Sequence, residues 1–171
     1  ADRMETIECW ELALKNLNTP SILSLTRQNL DPIRKKYLNL NKCSYGAYEI
    51  LRTNNKINLT IMASGSEVNL AIKVSHKLAK DRIYSKVISM PCQEIFESQT
   101  KTYKNKILGE TRFKISIEAG STESWKKYIG STGLTFGIDK FGKSAPYKEI
   151  FKHFGLTVEN IYKKVKKKIR K

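Results

Sequence analysis

Arg27 is the residue of this chain best placed to grip a ligand. It follows Ser21 to Leu25, a short apolar run that reads as a strand, and sits in Thr26-Arg27-Gln28-Asn29-Leu30 before Pro32 forbids regular structure. Open α/β sheets hold ligands at the carboxyl ends of their strands, where loops gather around a crevice. A planar guanidinium offers a fixed fork of donors that suits phosphate. From position alone, Arg27 reads equally as a phosphate ligand or as the ion-pair partner of a nearby carboxylate. Gly65-Ser66-Glu67 is a second candidate, because free amides at a helix start behind a strand attract anions. Glu67 would repel one, which favours a plain connection with Ser66 as helix cap.

Other reactive side chains carry weaker signals. His76 and His153 fall inside helical patterns and read as ordinary helix residues. Trp125, Tyr128 and Phe141 could stack on nucleobases, but their apolar neighbours favour packing in the core or at a domain interface. Cys9, Cys43 and Cys92 are odd in number and form no CxxC pair, so neither a disulfide framework nor a zinc site is indicated. They read as reduced, mostly buried thiols.

The elements that position these residues are organised around Leu59 to Lys80. Leu59 to Ala63 is a β-branched apolar strand, Ser64-Gly65-Ser66 a turn, and Val68, Ala71, Ile72, Ser75, Leu78 and Ala79 one face of a helix. Such a unit needs a parallel neighbour, which Lys86 to Met90 supplies. Upstream, Asp2 to Asn18 predicts a helix capped at Asp2, with Met4, Ile7, Trp10, Leu14 and Leu17 as its apolar stripe. Tyr45 to Leu51 alternates as an edge strand. Ile95 to Leu108 is mostly helical, Phe113 to Glu118 is a strand, Thr122 to Ile129 a short helix and Leu134 to Ile138 the last strand. Pro146 to Phe154 is a helix closed by Gly155, and Thr157 caps a final helix with Val158, Ile161, Tyr162, Val165 and Ile169 as its stripe. The fold class is α/β: a three-layer α/β/α sandwich around a mostly parallel, twisted five-stranded sheet with one antiparallel edge strand.

Residues 1–30 supply one helix and one strand, which cannot close a core. Residues 31–42, with Pro, Asn and basic residues and no firm period, read as a linker, and 43–171 as the complete α/β domain. Position 1 is Ala and a helix starts at once, so the chain reads as the tail of something longer. The 32 Lys and Arg against 16 Asp and Glu give a formal charge of +16, which suggests an anionic partner. However, 25 of the 32 are lysines scattered over every segment, unlike the Arg and aromatic clusters of nucleic-acid readers. Ile161 to Lys171 carries seven basic and no acidic residues on an amphipathic helix, a pattern like that of membrane-surface or nucleic-acid elements. No window approaches the roughly 18 apolar residues of a membrane helix, and the acidic start is no signal peptide, so a cytoplasmic address is expected.

Six stretches, in order, resemble the carboxyl-terminal part of transketolases. They are Ser24-Leu25-Thr26-Arg27-Gln28-Asn29-Leu30, Ala63-Ser64-Gly65-Ser66-Glu67-Val68, Val87-Ile88-Ser89-Met90-Pro91, Glu118-Ala119-Gly120, Gly137-Ile138-Asp139-Lys140-Phe141-Gly142 with Ser144-Ala145-Pro146, and Phe154-Gly155-Leu156-Thr157-Val158-Glu159-Asn160. The resemblance implies transfer of a two-carbon ketol unit between sugar phosphates in the pentose phosphate pathway, with thiamine diphosphate and Mg2+ or Ca2+, in a homodimer. It makes residues 1–30 the end of the pyrimidine-binding domain and 43–171 the whole carboxyl-terminal domain. It makes Arg27 a ligand of the substrate phosphate, and Ile161 to Lys171 a structural helix with a solvated basic face. The family's Gly-Asp-Gly metal motif is absent, as are its activating glutamate and the histidines around the reacting carbonyl. No catalytic, cofactor-binding or metal-binding residue is therefore assigned in this chain, and the chain alone is expected to be inactive. Two alternatives are a separately encoded assembly or regulatory subunit of a thiamine enzyme, and an orphaned basic domain that binds nucleic acid.

Overall fold

The structure is a computed structural model that describes residues 1–36 and 39–169. Parts of the expected linker and of the basic tail, residues 37–38 and 170–171, lie outside the described residues. Five strands form one sheet in the order β1-β3-β2-β4-β5. Strand β2 (Leu59–Ala63) is buried at every position, as expected of an apolar strand covered on both faces. It pairs in parallel with β3 (Ser85–Ser89), Leu59 opposite Ser85, and with β4 (Phe113–Ile117), Leu59 opposite Phe113. Beyond β4 lies β5 (Leu134–Phe136), also parallel. On the other edge β1 (Tyr48–Arg52) runs antiparallel to β3, with Tyr48 opposite Ser89. This is the expected sheet.

Alternation along the strands sends Leu59, Ile61 and Ala63 to one face and Met62 to the other. On the first face, α2 (Glu67–Ala79) and α7 (Val158–Ile169) pack through Val68, Ala71, Val74, Leu78, Ile161 and Val165. Lys77 pairs with Glu159 across these two helices. Just past α2, Asp81 accepts from Lys166 Nζ at 2.9 Å. The second face is covered by α3 (Gln93–Glu97), α4 (Lys101–Leu108) and α5 (Lys126–Ile129), with Phe96, Ile107, Trp125 and Tyr128 over Met62 and Ile88. The last two helices, α6 (Tyr147–Phe154) and α7, are joined through Gly155, whose φ of 73° ends α6 as the glycine predicts. Thr157 Oγ1 accepts from the Asn160 amide, which is its predicted capping role.

Several expectations are corrected. The mostly helical stretch over Ile95 to Leu108 is divided between α3 and α4, because Thr100 caps α4 by accepting from the Tyr103 amide. The helix expected over Thr122 to Ile129 begins as a 3₁₀ turn at Glu123–Trp125. The edge strand starts at Tyr48, not Tyr45, since Lys42–Tyr45 form a 3₁₀ turn closed by Gly46. Phe141 is 98% exposed and lies outside the core that holds Trp125 and Tyr128. Ser21 to Leu25 forms no strand: no partner strand is presented to it among the described residues, and a lone strand leaves its amides and carbonyls unpaired. The largest departure concerns α1 (Arg3–Lys15). Its apolar stripe faces outward, with Ile7 59% and Leu14 72% exposed, while Asp2, just ahead of it, and its own Glu5 and Glu8 are buried.

Gly46 couples the 3₁₀ turn to the second helical layer. Its φ is +73°, and a Cβ there would stand 2.1 Å from the Phe96 amide nitrogen and 2.5 Å from the Cys92 carbonyl oxygen. Both neighbours are backbone and cannot swing away. Gly46→Ala is expected to destabilise the fold by about 3 kcal/mol or more, through left-handed strain and overpacking together, as read by urea unfolding.

Candidate functional site

The arm that carries Arg27 is placed by α1. Asp2 caps that helix: Oδ1 accepts from the Glu5 amide at 2.9 Å, while Oδ2 accepts from the amides of Ile33 at 3.2 Å and Arg34 at 2.8 Å. One carboxylate thus fixes both the start of the helix and the far end of the arm. Two turns along, Glu8 accepts from Arg34 Nη1 at 2.8 Å and from the Cys43 amide at 3.1 Å. Glu5 Oε2 accepts from Tyr48 Oη at 2.7 Å and Ser89 Oγ at 2.5 Å, which reaches the β1–β3 edge of the sheet. The Arg34 guanidinium lies over the Tyr48 ring at 5.3 Å.

Burial alone would raise the Asp2 carboxyl. Donation from the Arg34, Glu5 and Ile33 amides and the Arg34 charge outweigh it and hold the group below the usual aspartate range. Tyr48 moves the other way: burial and then the Glu5 charge push its phenol well up, so it is a permanent donor.

Between Asn16 and Leu30 the chain has no regular structure and is mostly exposed. Arg27 is exposed, the adjacent turn is held by Gln28 N donating to Thr26 Oγ1 at 3.3 Å, and no carboxylate pairs with Arg27 among the described residues. The ion-pair alternative is not realised there. His76 and His153 are exposed positions of α2 and α6, away from Arg27 in the chain and in no shared cluster.

The second part of the site is the crevice of the sheet. Strands β2 and β4 are neighbours whose chains leave in opposite directions, toward β3 and β5, which is the switch point of an open sheet. Ser64 follows β2 and Glu118 follows β4. Ser64 Oγ donates to Glu118 Oε1 at 2.7 Å, and the Trp125 indole nitrogen donates to Oε2. A cavity of about 280 Å³ opens beside them, bordered also by Met90, Cys92, Gln93 and Glu94. At the start of α2, burial raises the Glu67 carboxyl, against donation from Ser66 and the Ala119 amide. Glu67 Oε2 takes that amide at 3.3 Å and so ties the Gly65 turn to the end of β4. Glu67 acts here as a tie between two loops, and Ser66 donates to Glu67 rather than capping the helix.

The crevice arrangement does not resemble nucleophilic machinery. The Cys92 thiol is pushed up by burial and donates to Glu94 at 3.3 Å. Among the described residues no group of three His, Cys, Asp or Glu could hold a metal. These geometries define an α/β domain whose switch-point loops are tied together by carboxylates. What sequence reasoning missed is the acidic face of α1. The signal was available: Asp2, Glu5 and Glu8 recur at spacing three in an otherwise basic chain.

The family model of the transketolase-like TK C-terminal domain matches residues 46–157. A transketolase from Sinorhizobium medicae is 41% identical over 162 residues, covering 94% of this chain and 23% of its own length. The solved transketolase of Leishmania mexicana superposes with a TM-score of 0.88 at 34% identity, over 99% of this chain and 24% of that one. A Pichia stipitis transketolase solved with sedoheptulose 7-phosphate gives 0.85 at 33% identity, again over 99% and 24%. The chain belongs to the transketolase family and carries its C-terminal domain. It spans about a quarter of the length of these relatives.

Two outcomes follow from the Arg34 network. Arg34→Ala leaves Asp2 and Glu8 buried with their cation gone, and is expected to cost about 3 kcal/mol in urea unfolding. Because the folded Asp2 carboxyl is depressed, its contribution is complete above the ordinary aspartate value and is lost as the pH falls below about 4. Fluorescence of Trp10 on α1 should therefore change in mild acid before that of Trp125 in the core.

Proposed function

We propose that this chain is the carboxyl-terminal part of a transketolase, transferring two-carbon ketol units between sugar phosphates, and that Arg27 contacts the substrate phosphate. On this reading residues 1–30 belong to the preceding pyrimidine-binding domain and 31–42 link it to the carboxyl-terminal domain. The observation that carries it is the orientation of α1. Its acidic face is buried in this domain while Ile7, Trp10, Leu14 and Leu17 are presented outward, followed at once by exposed Ile22 and Leu25 and by an unpaired Arg27. An apolar face of that extent is covered by protein in a folded enzyme, and the remaining three quarters of the relatives' length supplies the cover. A second subunit of the homodimer would share it.

The complex of the Pichia stipitis relative with a sugar phosphate supports a phosphate ligand for the arm. Arg27 fits that role: exposed, paired with no carboxylate among the described residues and bearing paired donors, it would hold the distal phosphate and so orient the sugar. Thiamine diphosphate and its divalent metal do not fit the residues of this chain, which offers neither the family's metal motif nor a cluster of metal ligands among the described residues. The cofactor would be held by the rest of the enzyme, in the cytoplasm.

In the intact enzyme, Arg27→Ala should raise the KM of phosphorylated sugars by roughly ten- to a hundredfold, the loss of one charge-assisted contact, while sparing small unphosphorylated donors. Equal damage to both donor classes would assign Arg27 to the fold. Calorimetry on the 171-residue chain should show no tight binding of thiamine diphosphate; tight binding would refute the division of labour.

A further inference from the structure

Cys9 and Cys43 take no part in the proposed function, yet the structure brings them together from opposite sides of the Arg27 arm. Cys43, in the 3₁₀ turn ahead of β1, directs its Sγ to the Glu5 carbonyl at 3.7 Å. In α1 that same carbonyl receives the Cys9 amide, one turn on. Helical side chains lean toward the amino end of their helix, so the Cys9 thiol tilts over the turn that Cys43 abuts. The two thiols are close enough for each to shift the acidity of the other. Neither backbone is loose: the Cys43 amide is held by Glu8, and Cys9 lies within a regular helix. Cys9 is half-buried and reachable from solvent, whereas Cys43 is 1% exposed.

The pair is also chemically unequal. Donation from Cys43 lowers the Cys9 thiol, against burial and the charges of Glu5 and Glu8, and the same bond together with burial pushes the Cys43 thiol far up. An attacking thiol and a resolving thiol differ in this sense. Cys92 donates to Glu94 and meets no second thiol among the described residues, so it serves as the internal comparison.

We propose that Cys9 and Cys43 are an oxidisable thiol pair which closes to a disulfide under peroxide and staples α1 to the turn before β1. The Cys9 thiolate attacks one oxygen of hydrogen peroxide, becoming a sulfenic acid and releasing hydroxide, which takes up a proton to give water. Cys43 then attacks the Cys9 sulfur, giving up its proton and expelling a second water. Two thiols lose two electrons and two protons, and one peroxide is reduced to two waters. The closed ring spans residues 9 to 43 and contains Arg27, so oxidation would tie both ends of the arm. The inference rests on the packing of α1 against the turn and stands whether or not Arg27 binds phosphate.

The test treats the intact, natively folded protein with a small excess of hydrogen peroxide, alkylates the remaining thiols and maps the peptides. The expected result is a Cys9–Cys43 crosslink with Cys92 alkylated, an intact mass lower by two hydrogens, and reversal by dithiothreitol. The oxidised protein should unfold several degrees higher than the reduced one, a shift that Cys9→Ser abolishes and Cys92→Ser retains. Recovery of Cys9 as sulfinic acid with Cys43 still alkylatable, a crosslink that includes Cys92, or three alkylated thiols would each overturn the proposal. Peptide mapping of the unsubstituted protein decides the matter even where a serine variant folds poorly.

Discussion

The acidic face at the start of α1 is the constraint on which the amino-terminal third depends. Asp2, Glu5 and Glu8 are buried, and a buried carboxylate is tolerable only when its oxygens receive donors. Besides the Glu5 amide within the helix, those donors include the Ile33 and Arg34 amides, the Arg34 guanidinium, the Cys43 amide, and the hydroxyls of Tyr48 and Ser89. Satisfying three carboxylates therefore folds the arm back, seats the 3₁₀ turn and presses α1 onto the sheet edge. The helix is turned with its polar side in and its apolar side out, the reverse of an ordinary surface helix.

The same economy of polar groups shapes the crevice at the switch point. Glu118 takes one donor from the β2 turn and one from the indole of Trp125, and Glu67 takes the Ala119 amide. Each carboxylate bridges two loops that would otherwise meet only through van der Waals contact. The result is a rigid strand edge whose polar groups face one another. It suits a domain whose proposed part in catalysis is to hold an arm and a surface in place, with the reactive groups elsewhere in the enzyme.

Much of this was legible. The pattern of Leu59 to Ala63 specified a strand buried on both faces, and the helix after it required a parallel neighbour at β3. Gly155 and Thr157 marked the junction of α6 and α7 because a left-handed residue and a hydroxyl cap do the same local work in any fold. Ser21 to Leu25 misled because strand propensity has no structural expression without a ladder partner. Met4, Ile7, Trp10, Leu14 and Leu17 marked the helix and its apolar side, but helical periodicity does not show which side is covered by this chain.

From its residue order alone, then, this protein's α/β class, the sequence of its elements and the arginine at the head of its arm were determined, since these follow from local periodicity, caps and turn chemistry. Tertiary structure decided which face of α1 is buried, which carboxylates lie together and which two of three thiols meet. For the α1 carboxylates those outcomes rest on donors contributed by residues 26 to 84 positions away, and local sequence carries no record of where such donors will be.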